Sequence, residues 1–248
     1  MSTSPLEDDQ QDVLHKALSM ARLSPRDIPP DQSSESRQAF LRRIHLDPIA
    51  YLNMPHSIPT LSLPSGLQRH ILPFEGWTLN IWTLQTPSGA IIIDTGLSPA
   101  QLKKVTTSMT LAGSPPLAIL ITHLHRDHIG GLTDPLDIPI YSPPLIKAHE
   151  QHSIGSLSWS TLDLSGHTPD GIGWLTEYNG THLLFPGDSI FACSIGKCAG
   201  AEKLAMTNIL NVMRAISKDT IICPGHGPAT TVHLEWVRNP FIAPYADK

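Results

Sequence analysis

The stretch His123-Leu124-His125-Arg126-Asp127-His128 places three imidazoles and a carboxylate in six positions, as His-x-His-x-Asp-His. Imidazole nitrogens and carboxylate oxygens are the ordinary ligands of zinc and related divalent ions, so the pattern points to a metal site. A strand alternates its faces and a turn re-aims the chain. Residues this close in sequence can therefore serve two neighbouring ions. Three more candidates follow. His167 lies in Ser165-Gly166-His167-Thr168-Pro169, Asp188 in Pro186-Gly187-Asp188-Ser189, and His226 in Pro224-Gly225-His226-Gly227-Pro228. Each has glycine beside it, which lets backbone and side chain approach a crowded centre.

If these residues converge, five imidazoles and two carboxylates share one place. Buried carboxylates alone are costly, and neutral imidazoles alone lack charge balance. Two divalent cations resolve both problems. Three histidines and a shared carboxylate suit one ion; two histidines, a carboxylate and the shared one suit the other. Asp188 is the natural bridge. Water held between two such ions deprotonates near neutral pH and becomes a nucleophile.

The elements that must deliver these side chains are readable. Leu117–Thr122 is an apolar run ahead of the first cluster, with Gly130-Gly131 behind it: a buried strand, then a turn. Arg69–Phe74, Thr78–Gln85 and Ala90–Asp94 read as strands, the last two joined by Pro87-Ser88-Gly89. Ser98–Leu111 reads as a helix, with Ser98 as cap and Pro99 in its first turn. Ile138–Tyr141 is expected as a strand and Pro144–His152 as a short helix. Trp159–Leu164, Gly173–Tyr178 and His182–Pro186 are expected as strands, with Asn179-Gly180 as a hairpin turn. Lys203–Ser217 reads as a helix, Thr220–Cys223 as a strand and Thr231–Val237 as a last helix. Every candidate ligand cluster thus falls where a strand gives way to a loop. Helices between pairs of strands predict sheets covered by helices, a layered α/β arrangement.

Residues 1–66 differ from the rest and carry no cluster of ligand types. An amphipathic helix is expected over Asp12–Arg22, and a second follows Ser34 with Phe40, Leu41 and Ile44 on its apolar face. A Pro- and Ser-rich linker follows. The segment is read as a packing extension on a main domain of residues 67–248; its alternative role is a cover over the site mouth.

Composition narrows the function classes. The chain has 248 residues, 13 histidines, 23 prolines and a formal net charge of −5. The 17 Lys and Arg residues are scattered, which argues against a nucleic-acid partner. No apolar stretch approaches the ~20 residues that span a bilayer, so no membrane partner is expected. Cys193, Cys198 and Cys223 lack zinc-site spacing and fit free thiols in a reducing compartment. The acidic N-terminus does not read as a secretory signal, and a cytoplasmic location is expected. His149 and His152, at i and i+3 of the expected short helix, are a weak second chelate candidate. Trp77, Trp82, Trp159 and Trp174 are read as core or pocket lining.

These pieces resemble the metallo-β-lactamase superfamily. The resemblance rests on Ile91-Ile92-Ile93-Asp94-Thr95-Gly96, Thr122–Gly131, Gly166-His167-Thr168-Pro169, Gly187-Asp188 and Pro224–Pro228, and covers roughly residue 68 to the C-terminus. It implies an αββα sandwich with a dinuclear centre at one edge. His123, His125 and His167 would bind the first ion, Asp127, His128 and His226 the second, and Asp188 would bridge. Asp94 would support the site from beneath. Phe185–Phe191 with Ser194-Ile195-Gly196, and the tail Pro224–Thr231 with Asn239-Pro240-Phe241, are similar to the short glyoxalase II-like hydrolases. That resemblance implies hydrolysis of a thioester or related acyl compound by a metal-bridging hydroxide, with Asp127 and Asp188 in catalytic roles. Zinc is the first expectation for both ions, with iron or manganese as alternatives. The chain departs from that pattern at Lys197-Cys198-Ala199, and Lys197 is a candidate contact for an anionic substrate arm. The rival activities are a mononuclear iron persulfide dioxygenase and a lactonase. A metal-binding sensor without turnover is the rival of another class. The oligomeric state is left open.

Overall fold

A computed structural model describes residues 61–74, 77–133, 137–198, 200–239 and 241–246. The two N-terminal helices expected over residues 12–22 and 34–47 lie outside the described residues. Two sheets face each other. The first has the order β1 (Leu67–Phe74), β2 (Trp77–Thr86), β3 (Gly89–Ile93), β4 (Pro116–Leu120) and β5 (Ile140–Tyr141). Its first three strands are antiparallel neighbours, while β3, β4 and β5 run parallel. The second sheet is built from β6 (Gln151–Ile154), β7 (Leu157–Asp163), β8 (Ile172–Tyr178), β9 (Thr181–Phe185), β12 (Ile221–Ile222) and β13 (Thr230–Thr231). Its spatial order is β13-β12-β9-β8-β7-β6, and β9 and β12 are parallel. A separate small hairpin joins β10 (Ile190–Phe191) to β11 (Ser194–Ile195).

The alternation of strand side chains builds three apolar layers. Trp82, Leu84, Ile91, Ile93 and Leu120 point inward from the first sheet and meet Trp159, Trp174, Leu183 and Phe185 of the second. Their neighbours Ile81, Ile92 and Ile119 point outward and pack on Leu102, Val105 and Met109 of helix α1 (Pro99–Leu111). On the far side Leu184 and Ile222 pack on Ile209, Leu210 and Met213 of helix α3 (Glu202–Ala215). Helix, sheet, sheet, helix is the αββα sandwich. A one-turn helix α2 (Arg126–Ile129) follows β4, and helix α4 (Val232–Arg238) follows β13. Leu61 and Leu63, at the end of the N-terminal extension, pack against the inter-sheet core. Among the described residues no helix is long and apolar enough to cross a membrane.

Three local expectations need correction. Residues 144–152 are not helical: turns lead into β6, which pairs with β7 in the register His152↔Trp159. Thr161 of β7 is the reason. It takes the backbone groups a helix would have kept for itself: His149 N–H donates to its carbonyl, Glu150 N–H to its hydroxyl, and that hydroxyl donates to the Lys147 carbonyl. His149 and His152 therefore share no helix face, and His152 Nε2 lies 3.3 Å from Glu150 instead. Ser98 stands at the N-cap of α1, but its hydroxyl makes no capping bond; Gln101 Oε1 instead accepts from Leu97 N–H at 2.7 Å. The two-residue strands β10, β11 and β13 have no counterpart in the expected elements, because a pair of residues carries no periodicity to detect.

Candidate metal centre

The parallel relation of β3 to β4, and of β7 and β9 to β12, carries the ends of these strands to one edge of the sandwich. Asp94 follows β3, His123–His128 follow β4, His167 follows β7, Asp188 follows β9 and His226 follows β12. The two sheets are tied together at that edge. Trp174 Nε1–H donates to the Ile121 carbonyl at 2.9 Å, and Ile172 N–H to the Thr122 carbonyl at 3.0 Å.

The seven candidate ligands arrive as two groups. Ligand atoms of His123, His125 and His167 lie within 4.8 Å of one another, and so do those of Asp127, His128, Asp188 and His226. Within the first group, His125 Nδ1 is 3.1 Å from His123 Nε2 and 3.0 Å from His167 Nε2. Asp188 stands between the groups. Its Oδ1 is 3.3 Å from His128 Nε2, and its Oδ2 is 3.4 Å from His226 Nε2 and 3.8 Å from His167 Nε2.

The outer nitrogens of the rings decide which nitrogens face inward with lone pairs. His226 Nδ1 meets the Thr78 carbonyl at 2.6 Å, and His167 Nδ1 meets the Lys197 carbonyl at 2.8 Å. A carbonyl only accepts, so each Nδ1 carries the proton. His128 Nδ1 meets the Asp94 carboxylate at 2.7 Å. The Thr122 hydroxyl donates to Asp94 at 2.9 Å, so it accepts from His123 Nδ1 at 3.1 Å. Rings oriented in this way turn their Nε2 atoms towards each other and towards two carboxylates. His226 Nε2 is 3.1 Å from Asp127 Oδ2. Nitrogen and oxygen atoms converge at such distances with a proton or a cation between them. A tetrahedral ion with metal–nitrogen bonds of about 2.0–2.1 Å spaces its ligands by roughly 3.3 Å, close to the contacts seen. The donor set fits divalent ions.

Without a cation, the positive charge among these groups falls to a proton on His128. His128 is 1% exposed. Burial would suppress its charge, yet Asp94 and Asp188 beside it prevail and raise its pKa well above the usual imidazole value. His123, equally buried, goes the other way: desolvation, then the charge of His128, lowers its pKa well below the usual value. Burial alone would raise the Asp127 pKa, but the His226 contact and His128 overcome it and hold the carboxyl below its ordinary value.

Asp94 supports the site rather than facing its interior. Its carboxylate accepts from Thr122 N–H and the Thr122 hydroxyl as well as from His128. Two glycines are required by geometry. Gly187 has φ +54, and Gly225 has no room for a β-carbon, which would strike Asp188 Oδ1 and come within 2.6 Å of His128 Cε1. The Lys197 side chain is exposed, and its contribution to the cluster is the carbonyl that orients His167. Cys193 and Cys198 are buried free thiols. Desolvation pushes their pKa values up to about 12 and about 11, which makes them poor nucleophiles.

Asn80 is a residue the motif reading passed over. It is 1% exposed in the middle of β2. Its amide donates to the Pro224 carbonyl at 2.9 Å and the Gly227 carbonyl at 2.8 Å, so it grips both sides of His226. Asn80 N–H donates to the Gly225 carbonyl at 2.8 Å, and Trp82 Nε1–H adds a second bond to Pro224. Arg69 Nε–H fixes the Asn80 amide by donating to its oxygen at 2.8 Å. The available signal was an Asn inside the β-pattern of Thr78–Gln85, where Asn is normally depleted.

Sandwich and edge together define a protein of the αββα class with a metal-ligating edge. Residues 76–138 match the family model "Metallo-beta-lactamase superfamily". A hydroxyacylglutathione hydrolase of Hamiltonella defensa subsp. Acyrthosiphon pisum is 30% identical over 64% of this chain and 66% of its own length. The "Probable metallo-hydrolase YqgX" of Bacillus subtilis is 27% identical over 66% of this chain and 92% of that protein. Among solved structures, TTHA1623 in a di-iron-bound form is 27% identical with a TM-score of 0.57, covering 69% of this chain and 99% of that one. Residues 76–138 thus carry the metallo-β-lactamase superfamily's sequence pattern, within a fold of the same kind. It spans 66%, 65% and 58% of the lengths of three hydroxyacylglutathione hydrolases it matches.

Proposed function

We propose that the chain is a metal-dependent hydrolase that acts on a thioester or related acyl compound. The observation that carries this reading is the pair of ligand groups with Asp188 between them. His123, His125 and His167 would hold one divalent ion and Asp127, His128 and His226 a second, with Asp188 shared. Bound ions of this kind supply Lewis acidity towards a carbonyl oxygen and lower the pKa of a coordinated water. The di-iron form of TTHA1623 supports two ions and makes iron a candidate beside zinc and manganese.

The chain's own residues supply the rest. The Asp127 carboxylate stays ionised at neutral pH. It can accept a hydrogen bond from the attacking group and orient it. The rings of Phe74 and Phe191 lie 5.5 Å and 6.1 Å from that of His226 and give the site an apolar wall. A thiolate leaves without prior protonation, so a thioester needs no general acid from the protein. The exposed Lys197 and Arg126 offer positive charge to an anionic acyl or thiol arm.

Metal analysis joined to a thioester hydrolysis assay tests the reading. Two ions per chain with metal-dependent thiol release support it. One iron with oxygen uptake on a persulfide would replace it with a dioxygenase, and turnover confined to cyclic esters with a lactonase. Full metal loading without turnover on esters, thioesters or persulfides would leave a metal-binding sensor.

A further inference from the structure

We propose that Glu235, together with Asn239, is a positioning residue for this centre. The pair holds the β10–β11 hairpin so that the Lys197 carbonyl beyond its foot, which orients His167, stays in place. The inference rests on the two-ion reading above.

The hairpin needs such a clamp. Each of its strands has two residues, and an isolated two-stranded ribbon is at best marginally stable. Its turn holds Cys193 at φ +58, a left-handed conformation that favours glycine. Its foot is closed by a long 3.4 Å bond from Gly196 N–H to the Ser189 carbonyl. Both feet nevertheless lead directly to the centre. Asp188 precedes Ser189, and Lys197, whose carbonyl accepts the His167 Nδ1 proton, follows Gly196.

Helix α4 and the residue after it supply what the hairpin lacks. Glu235 is 1% exposed and Asn239 is fully buried. Glu235 Oε2 accepts the Cys193 N–H at 2.9 Å, at the tip of the turn. Asn239 Nδ2 donates to the Ser194 carbonyl at 2.9 Å, reaches the Phe191 carbonyl at 3.5 Å and donates to Glu235 Oε2 at 2.7 Å. Thr230 Oγ1–H holds the other carboxylate oxygen at 2.6 Å. A packing role would be served by Leu or Met at no desolvation cost. The buried carboxyl is instead a junction that joins the turn, β13 and the end of α4.

The clamp bears unequally on the two ligand groups. His167 reaches it through Lys197. His128 is held by Asp94, His226 by Thr78 and the Asn80 grip, and the residue before Asp188 by the Gly225 N–H bond to the Gly187 carbonyl at 2.9 Å, none of which pass through the hairpin. Loss of the clamp should therefore loosen the His123–His125–His167 group more than its neighbour.

Cobalt(II) titration of the metal-free full chain, followed by ligand-field absorption and by competition with a chromophoric chelator, tests this without using activity. Wild type should take up two ions in two phases, and H167A identifies the phase belonging to the first group. Glu235→Ala should weaken that phase by roughly 10- to 100-fold, the range seen when groups orienting a ligand are removed, and move the other by less than about threefold. Glu235→Gln keeps an oxygen for Cys193 and Asn239 and an amide for Thr230, so it should stay within about threefold of wild type in both phases. A folded E235A with two wild-type phases overturns the inference and leaves the two-ion reading intact. Equal weakening of both phases, a general loosening, also overturns it. If E235A does not fold, N239A is judged by the same criteria; its failure to fold as well assigns the pair to stability alone and overturns the inference. Wild type taking up fewer than two ions overturns the two-ion reading and this inference with it.

Discussion

Asn80→Leu offers a quantitative test of how the His226 loop is held. Leucine keeps the branched outline of asparagine but is larger and apolar, so the substitution removes hydrogen bonds without opening a cavity. Both amide donations are lost, and with them the oxygen that accepts from Arg69. The Pro224 carbonyl keeps its bond from Trp82 at 2.8 Å, but the Gly227 carbonyl loses the 2.8 Å bond from Asn80. A net bond is worth about 1 kcal/mol, and a buried acceptor deprived of its partner costs about 1–3 kcal/mol. Their sum predicts a loss of about 3 kcal/mol, with the backbone bond from Asn80 to Gly225 retained. Urea unfolding of the chelator-treated protein measures this term in the absence of metal. A separate metal titration should show roughly 10- to 100-fold weaker binding in the group that contains His226. A variant within about 0.5 kcal/mol of wild type and with unchanged metal affinity would refute the argument. The loop would then be held by its backbone bonds alone.

Three other outcomes follow from the same geometry. Asp188→Ala should lose at least one ion and several orders of magnitude in rate, read by metal analysis and a thioester assay; near-normal activity would sink the two-ion model. Gly225→Ala drives a methyl into Asp188 Oδ1 and His128. It should abolish activity and metal binding while circular dichroism still reports a folded sandwich; a fully active G225A would mean that the edge is looser than the structure shows. Glu235 predicts a pH dependence of stability. Burial, only partly offset by bonds from Thr230, Asn239 and Cys193, raises its pKa from 4.5 to about 7. Between those values the unfolded chain has released the proton and the folded chain keeps it, so this group's contribution falls as pH rises and levels off above about 7, by roughly 3 kcal/mol in all. Glu235→Gln should remove that slope from metal-free unfolding curves measured between pH 4 and 8, and an identical slope in both proteins would refute the assignment.

The sandwich was legible because its strands are long enough to show a period. Ile91-Ile92-Ile93 and Leu117–Ile121 are apolar on both faces, as strands buried beneath a helix on one side and a second sheet on the other must be. The seven positions that the fold gathers at the edge were legible because each stands beside a strand end with glycine nearby. What escaped detection lacks a local signal. Residues 144–152 have helix-like apolar spacing, and only the distant Thr161 turns them towards a strand. The β10–β11 hairpin is too short to show alternation, and its anchor is a Glu more than forty positions away, across one bond to Cys193. Asn80 could be noticed as an oddity in a strand, but its partners lie 144 and 147 residues later in the chain.

Position 197 shows how the orientation of a ring at this edge is separated from side-chain identity. The group that orients His167 there is a main-chain carbonyl, which every amino acid possesses. The side chain is exposed and makes no demand on that bond. A change of residue type at 197 can therefore alter what is met at the mouth of the site while the His167 tautomer stays fixed. The ligand side chains have no such freedom: His128 spends its second nitrogen on Asp94, His226 on Thr78 and His123 on Thr122. Each ring is thus committed at both ends. Within the departure from the glyoxalase II-like pattern, Lys197 accordingly falls where a side chain can vary without loosening the edge.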